Sequence, residues 1–267
     1  MATANSLQKV NLCQNLKKLV MSIYRISEEK DQFIHKVDKL DKKEDHFIEI
    51  TDPLIIDTID EAHIDEFSKF VYHVYLHDYA SKNDWQPNDS SLQHMIEEDH
   101  QYFKYSFYII CSTKQTGILG TFKITKRNES LTFPIETDFG IKLDELTNFE
   151  GLKVDSVWHL GRLAVDKEKI KKYRLKVSSM EIFTRLLSTA IRLLGSSTDN
   201  LAVTEIDYKV LRLLIHDGLN LEIIGQPKFY LGSITCPAIV TSRDLYKWLE
   251  RNQNRRENIS IDVKEYV

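Results

Sequence analysis

The chain has 267 residues, 42% of them hydrophobic and 28% charged, with a formal net charge of −4. That balance is ordinary for a globular protein that buries a core without staples, and it gives no general argument for binding nucleic acid or a membrane. The three cysteines, Cys13, Cys111 and Cys236, are odd in number and far apart, which fits free thiols in a reducing compartment better than a disulfide framework. No apolar run approaches the roughly 20 residues that span a bilayer, and the N-terminus lacks an apolar signal core. A cytoplasmic protein is expected; a peripheral membrane contact stays open.

Residues 7–46 are rich in lysine and glutamate, with Leu12, Leu16, Leu19, Ile23 and Ile26 at roughly helical spacing. They predict an N-terminal helical extension over 1–46, packed outside the main fold. The segment "FIEITDPLIIDTID" reads as a strand region interrupted by Pro53. Ile64, Phe67, Val71 and Val74 then recur at helical spacing. "SKNDWQPNDSS" is loop-like, and "YSFYIICS" with "GILGTFKITKR" predicts an antiparallel hairpin. An irregular stretch over 128–153 leads to "DSVWHLGRLAV", whose second half is apolar at successive positions, as in a strand covered on both faces.

Residues 178–194 carry the clearest helical pattern, with Met180, Phe183, Leu187, Ala190 and Leu194 in one stripe. Ser178 and Glu181 have capping-box spacing at its start. A short strand "LAVTEID", a helix "YKVLRLLIHDG", two further strands and a closing helix "SRDLYKWLERN" complete the order. The expected fold class is a mixed α/β sheet flanked by helices, with a tail over 253–267.

The strand at 157–165 runs into a loop with six basic residues between Asp166 and Lys176, directly before the capped helix. First-turn N–H groups have no partners within a helix, and its dipole is positive there, so a phosphate placed at this joint meets amides and cations together. A solvated lysine-rich turn is the competing reading.

The order of elements resembles the GNAT N-acetyltransferase fold. "LTFPIETDFGIKLDEL", then "VWHLGRLAVD", then "LLIHDGLNLEIIGQPKFYLGSITCPAIV" resemble long-chain N-acyl amino acid synthases and the related acyl-homoserine-lactone synthases. The matched features are an FP-x-E-like segment, an E-x-G-R-x-A-V-like strand and a G-x6-G-x-P-x-x-Y-like segment, spread over roughly residues 50–245. The resemblance implies a GNAT-like central twisted sheet over 47–252 and transfer of a long acyl chain to the amino group of an amino acid or similar small amine. The donor would be acyl carrier protein or acyl-CoA. "KKYRLKVSS" lacks the glycines with which ordinary GNAT enzymes bring the backbone to a CoA pyrophosphate, which favours an acyl carrier protein as donor and partner. No metal is expected; His73 and His77 have i, i+4 spacing but no evident third ligand.

Within that resemblance the donor would lie along Leu163, Ala164 and Val165, with its phosphate near Lys172, Arg174 and Ser178. His159 stands where the subfamily often has glutamate; it is a candidate general base or a core histidine. Arg162 would point to the opposite face from His159 unless a bulge intervenes, and could bind a substrate carboxylate or pair with Glu136. Glu136 could instead orient the amine. Tyr208 could protonate the leaving thiolate or simply pack. Trp85, Tyr102, Phe103, Tyr105 and Phe107 are candidates for an acyl tunnel or for the core. The competing functions are an acyl-homoserine-lactone synthase and a silent module that binds an acyl carrier protein or lipid.

Overall fold

A computed structural model describes residues 53–80, 89–146 and 153–254. All lie in the second of the chain's two units, Glu49–Val267. The expected N-terminal extension, Cys13, Trp85 and the tail beyond 254 lie outside the described residues.

Eight strands among the described residues form one mixed sheet. In chain order they are β1 (Ile55–Thr58), β2 (Ser106–Thr113), β3 (Gly117–Lys126), β4 (Ser156–Val165), β5 (Asn200–Asp207), β6 (Glu222–Ile223), β7 (Lys228–Tyr230) and β8 (Ser233–Thr241). The spatial order is β1-β2-β3-β4-β5-β8-β6, with β7 also on β8. Every pairing is antiparallel except β4 with β5. The β2–β3 hairpin is the one expected from the sequence.

One face of the sheet carries α5 (Ser179–Leu193), α6 (Tyr208–His216) and α7 (Ser242–Asn254). Ile182, Leu186, Leu187, Leu211, Leu245 and Trp248 from these helices meet Leu119, Ile124 and Leu160 of the strands in the largest apolar cluster. On the other face, α1 (Ile64–Tyr75) lays Phe67 and Val71 over Tyr108 of β2, beside α2 (Asp89–Tyr102). Phe133, Ile135 and Leu143, from the segment around α3 (Pro134–Thr137), cover Leu201, Val203 and Ile239 of β5 and β8 on that same face.

Helix α5 starts where the sequence places it. Ser178 Oγ accepts the Glu181 N–H at 3.0 Å. Only that half of the capping box forms, because the Glu181 carboxylate turns to Arg185 one helical turn on, at 2.9 Å. The helix sits so close to β3 that a Cβ on Gly120 would lie 2.7 Å from Ile182 Cγ2 and 3.2 Å from the Ala164 carbonyl oxygen. Gly120→Ala is therefore expected to destabilise the fold by about 1–3 kcal/mol through overpacking, read as a lowered midpoint in thermal unfolding.

The basic segment before α5 departs from expectation. It is not an open loop: Lys167–Lys172 form a short helix, α4. Asp166 Oδ1 accepts the Lys169 N–H at 2.7 Å and so caps it, and lysine and glutamate are good helix formers once a cap exists. Lys169 is drawn inward to donate to the Ile118 carbonyl at 2.9 Å.

Candidate active site

Strands β4 and β5 pair only from Ser156↔Asn200 to His159↔Val203, although β4 continues to Val165 and β5 to Asp207. Beyond His159 each strand follows a different neighbour. β5 stays on β8 as far as Asp207↔Thr235. β4 stays on β3 through a bulge, in which Gly161 and Ala164 are three residues apart while their partners Lys123 and Thr121 are two apart. Arg162 sits in the bulge with φ of 53°, a left-handed conformation that costs a non-glycine residue roughly 1–3 kcal/mol. Thr121 Oγ1 donates to the Arg162 carbonyl at 2.9 Å and holds it there.

The parting strands open a wedge, and a cleft of about 150 Å³ occupies it. Side chains alternate across a sheet, so the cleft has two halves. His159, Glu205, Asp207 and Thr235 line it from the face under α1 and α2. Phe122, Leu160, Phe183, Leu187 and Leu214 line it from the apolar face under α5 and α6. Leu163 lines it too. The Asp166 N–H donates to the Leu119 carbonyl of β3 at 3.0 Å, so alternation turns the N–H groups of Val165 and Leu163 the other way, into the wedge. Ala164 is buried under α1.

His159 is the centre of the polar half. Its ring stacks on Phe133, with centroids 4.9 Å apart. Nε2 is 2.8 Å from Glu205 Oε2, and the side chains are 9% and 7% exposed. With Glu205 ionised, Nε2 carries the proton and a neutral imidazole keeps its lone pair on Nδ1. The other oxygen, Glu205 Oε1, is buried without a hydrogen-bond partner among the described residues. Gly161 makes room for the ring: a Cβ there would lie 2.9 Å from His159 Cε1. Gly161→Ala is expected to push the imidazole off Glu205 and to lower activity while the sheet survives; a crystal structure of the variant checks the ring position.

Next to this pair lies a buried charge cluster. Arg162 Nε donates to both Asp99 oxygens at 3.1 and 3.2 Å, and Nη2 donates to Glu98 at 3.0 Å. Lys123 Nζ donates to Asp99 at 2.8 Å and lies 4.6 Å from the centre of the Tyr102 ring. Ser68 donates to Asp99 at 2.8 Å, and Tyr108 donates to its main-chain carbonyl at 2.7 Å. Burial pushes the Asp99 carboxyl up, but Arg162 and Lys123 outweigh it and hold the group below the usual range. Burial pulls the Lys123 ammonium down, against the pull of Asp99. Arg162, Lys123 and Glu98 all line the cleft.

The bulge therefore brings Arg162 to the same cleft as His159. Its expected pair with Glu136 is replaced by Glu98 and Asp99. Glu136 instead binds Arg127 at 3.1 Å and accepts the Phe133 N–H at 3.1 Å, which fixes the start of α3. Tyr208, the first residue of α6, packs half-buried against the main core and is not among the residues lining the cleft; Tyr75, Tyr79 and Tyr230 are. Burial pushes the Tyr75 hydroxyl up to about 12. Lys172 and Arg174 are exposed beside the start of α5, outside the cleft lining, and Ser178 spends its hydroxyl on the cap. Tyr102, Phe103, Tyr105 and Phe107 do not line the cleft either. Tyr102 is buried, with its hydroxyl on the Thr132 carbonyl, and Phe107 is exposed.

No protein-family model matches the chain. No curated protein matches it either. Among solved structures, FeeM, an N-acyl amino acid synthase from uncultured soil microbes, is similar over 76% of this chain and 98% of its own, at 14% identity and a TM-score of 0.52. The CoA-dependent acyl-homoserine lactone synthase BjaI with MTA overlaps 78% of this chain and 92% of its own, at 12% identity and a TM-score of 0.49. A GNAT-family acetyltransferase from Staphylococcus aureus Mu50 overlaps 71% and 99%, at 10% identity and a TM-score of 0.46. A parallel β4–β5 pair that parts at a bulge, within a mixed sheet built like that of FeeM, gives this chain a GNAT-like fold.

Proposed function

We propose that the protein is an N-acyltransferase, which moves a long acyl chain from acyl carrier protein or acyl-CoA to the amino group of an amino acid or similar small amine. The observation that carries this reading is the two-sided cleft at the β4–β5 wedge, with an imidazole–carboxylate pair on one face and an apolar pocket on the other. A thioester with a fatty tail has the same division. Its tail suits the side of Phe122, Phe183 and Leu187, and its carbonyl suits the wedge, where the N–H groups of Leu163 and Val165 have no strand beside them. Donors held in advance at a developing oxyanion each contribute roughly 3–4 kcal/mol in acyl transfer.

The chemistry requires a C–N bond to form at the thioester carbon and the C–S bond to break. The amine loses a proton and the departing thiolate gains one. His159 takes the amine proton on Nδ1, directly or through water, while Glu205 holds the ring by Nε2. Arg162 faces the cleft with two of its three nitrogens engaged, and its Nη1 has no protein acceptor among the described residues. It is placed to take the carboxylate of an amino acid. The exposed lysines Lys171 and Lys172 on α4 suit the acidic surface of a carrier protein better than a CoA pyrophosphate, because no glycine lets the backbone close on the latter.

The test is incubation of the full chain with myristoyl-loaded acyl carrier protein, with myristoyl-CoA or with acetyl-CoA, each with pooled standard amino acids, and products are read by mass spectrometry. An N-myristoyl amino acid is expected. Product from acetyl-CoA alone would reject the long-chain reading. Binding of the loaded carrier without any acylated amine would favour the silent module.

A further inference from the structure

We infer that Glu205 is the amine-binding residue of this site, with Oε1 accepting an N–H of a primary ammonium acceptor while Oε2 holds His159. The inference rests on the transferase reading and names the class of acceptor within it. Three observations lead to it.

The first is the lone oxygen. A carboxylate offers about four lone-pair sites, and here one oxygen is used by His159 while the other is buried with no partner among the described residues. Such groups are rare in folded proteins, and each requires an explanation. The second is position. Glu205 lines the cleft, on β5 two residues past Val203, the last residue of β5 paired with β4, and Leu163 lines the same cleft. The third is that no cation among the described residues answers it. Lys123 and Arg162, which line the same cleft, donate to Asp99 and Glu98. The neighbouring Asp207 is acidic as well, and it caps α6 by accepting the N–H groups of Lys209 and Val210.

A positively charged N–H donor answers a buried carboxylate oxygen better than a hydroxyl does, because hydrogen bonds between ionised partners are shorter and roughly twice as strong as neutral ones. An ammonium bound at Oε1 lies beside the imidazole that Oε2 orients; it first gives one proton to His159 Nδ1, which passes it to solvent and frees the nitrogen lone pair, and the second proton, lost as the C–N bond forms, goes to the departing thiolate. One carboxylate thus places the acceptor nitrogen and its base together, and the site prefers amines to alcohols.

The test compares the full chain with Glu205→Gln. Glutamine keeps the size of the side chain and can still accept from His159 through its oxygen, but it turns an N–H₂ toward the acceptor. Each of the twenty standard amino acids and ethanolamine is supplied singly. Thermal unfolding with each amine, without donor, reads binding; steady-state rates with myristoyl-loaded carrier protein read KM and kcat separately. In the variant the amine KM is expected to rise about tenfold or more, as for the loss of a charged hydrogen bond, with the donor KM unchanged and the amine-induced stabilisation gone. If Glu205→Gln does not fold, Glu205→Asp keeps the charge but withdraws Oε1 by one methylene, and the same rise is expected. An amine KM unchanged within about twofold, or a fall in kcat alone, would overturn the assignment and leave Glu205 as a group that only orients His159. Failure of the wider reading looks different. Wild-type protein stabilised by an amine that it never acylates supports the amine site and removes the transferase reading. Wild-type protein that acylates an amine with the same KM as the variant does the reverse.

Discussion

Asp99→Ala should lower stability by about 3–5 kcal/mol, the range for removing one partner of a buried ion pair. Asp99 is fully buried and holds Lys123, Arg162 and Ser68 at once. Its loss leaves a 2%-exposed ammonium and a guanidinium, its side chain 12% exposed, that among the described residues keeps only Glu98 as a carboxylate partner. For a domain of this size 1 kcal/mol corresponds to roughly 2–4 °C in the unfolding midpoint, so a fall on the order of 10 °C is expected in a thermal scan. A drop of only a degree or two would show that the cluster contributes little.

The pH dependence has a definite sign. The Asp99 carboxyl titrates below its usual value when folded, because Arg162 and Lys123 outweigh the upward push of burial. A depressed acid stabilises the fold at pH values above the ordinary carboxylate range, near 4, and that stability disappears as the pH falls through the lower, folded-state value. The stability lost from pH 5 to pH 2 is therefore expected to be smaller in Asp99→Asn than in the wild type.

The second large effect concerns the chemistry. His159→Ala is expected to slow acyl transfer by 10²- to 10⁴-fold, the usual contribution of a positioned general base, with donor binding intact. The stack on Phe133 and the hydrogen bond to the buried Glu205 are lost with the ring, so circular dichroism and thermal unfolding are to show the variant folded at the assay temperature before its rate is read. Glu205 would then lose its remaining partner. Unchanged turnover would remove His159 as base while leaving the cleft in place.

Periodicity made most of the sheet legible. The β2–β3 hairpin, β4 and α5 follow apolar patterns that burial enforces, and the structure keeps them. Helix α2 is a different case. "DSSLQHMIEEDHQY" has little apolar content, and its most buried member is an acid, so no apolar stripe announces it. The two carboxylates that hold Arg162 were lost with it. Glu205 is hidden because "LAVTEID" reads as a short buried strand; its signal is a single glutamate among apolar residues, which has to find a partner or a ligand. The bulge at Arg162 could not be read, because one inserted residue leaves no compositional trace, yet it decides which face the guanidinium serves. Glu136 sits in a segment whose sequence gives no register against the sheet, and its partner, Arg127, emerged only in three dimensions.

In the proposed reaction an acyl thioester enters the gap where β4 and β5 part, head toward His159 and tail beneath α5. The most direct test of this placement is a crystal structure with a myristoyl-pantetheine thioether, a stable mimic in which a CH₂ replaces the thioester carbonyl. Density is expected in the gap, with the pantetheine arm along Leu163 and Val165 and the chain against Phe183 and Leu187. A mimic bound elsewhere, or a gap that stays closed at saturating concentrations of a mimic shown to bind in solution, would contradict it.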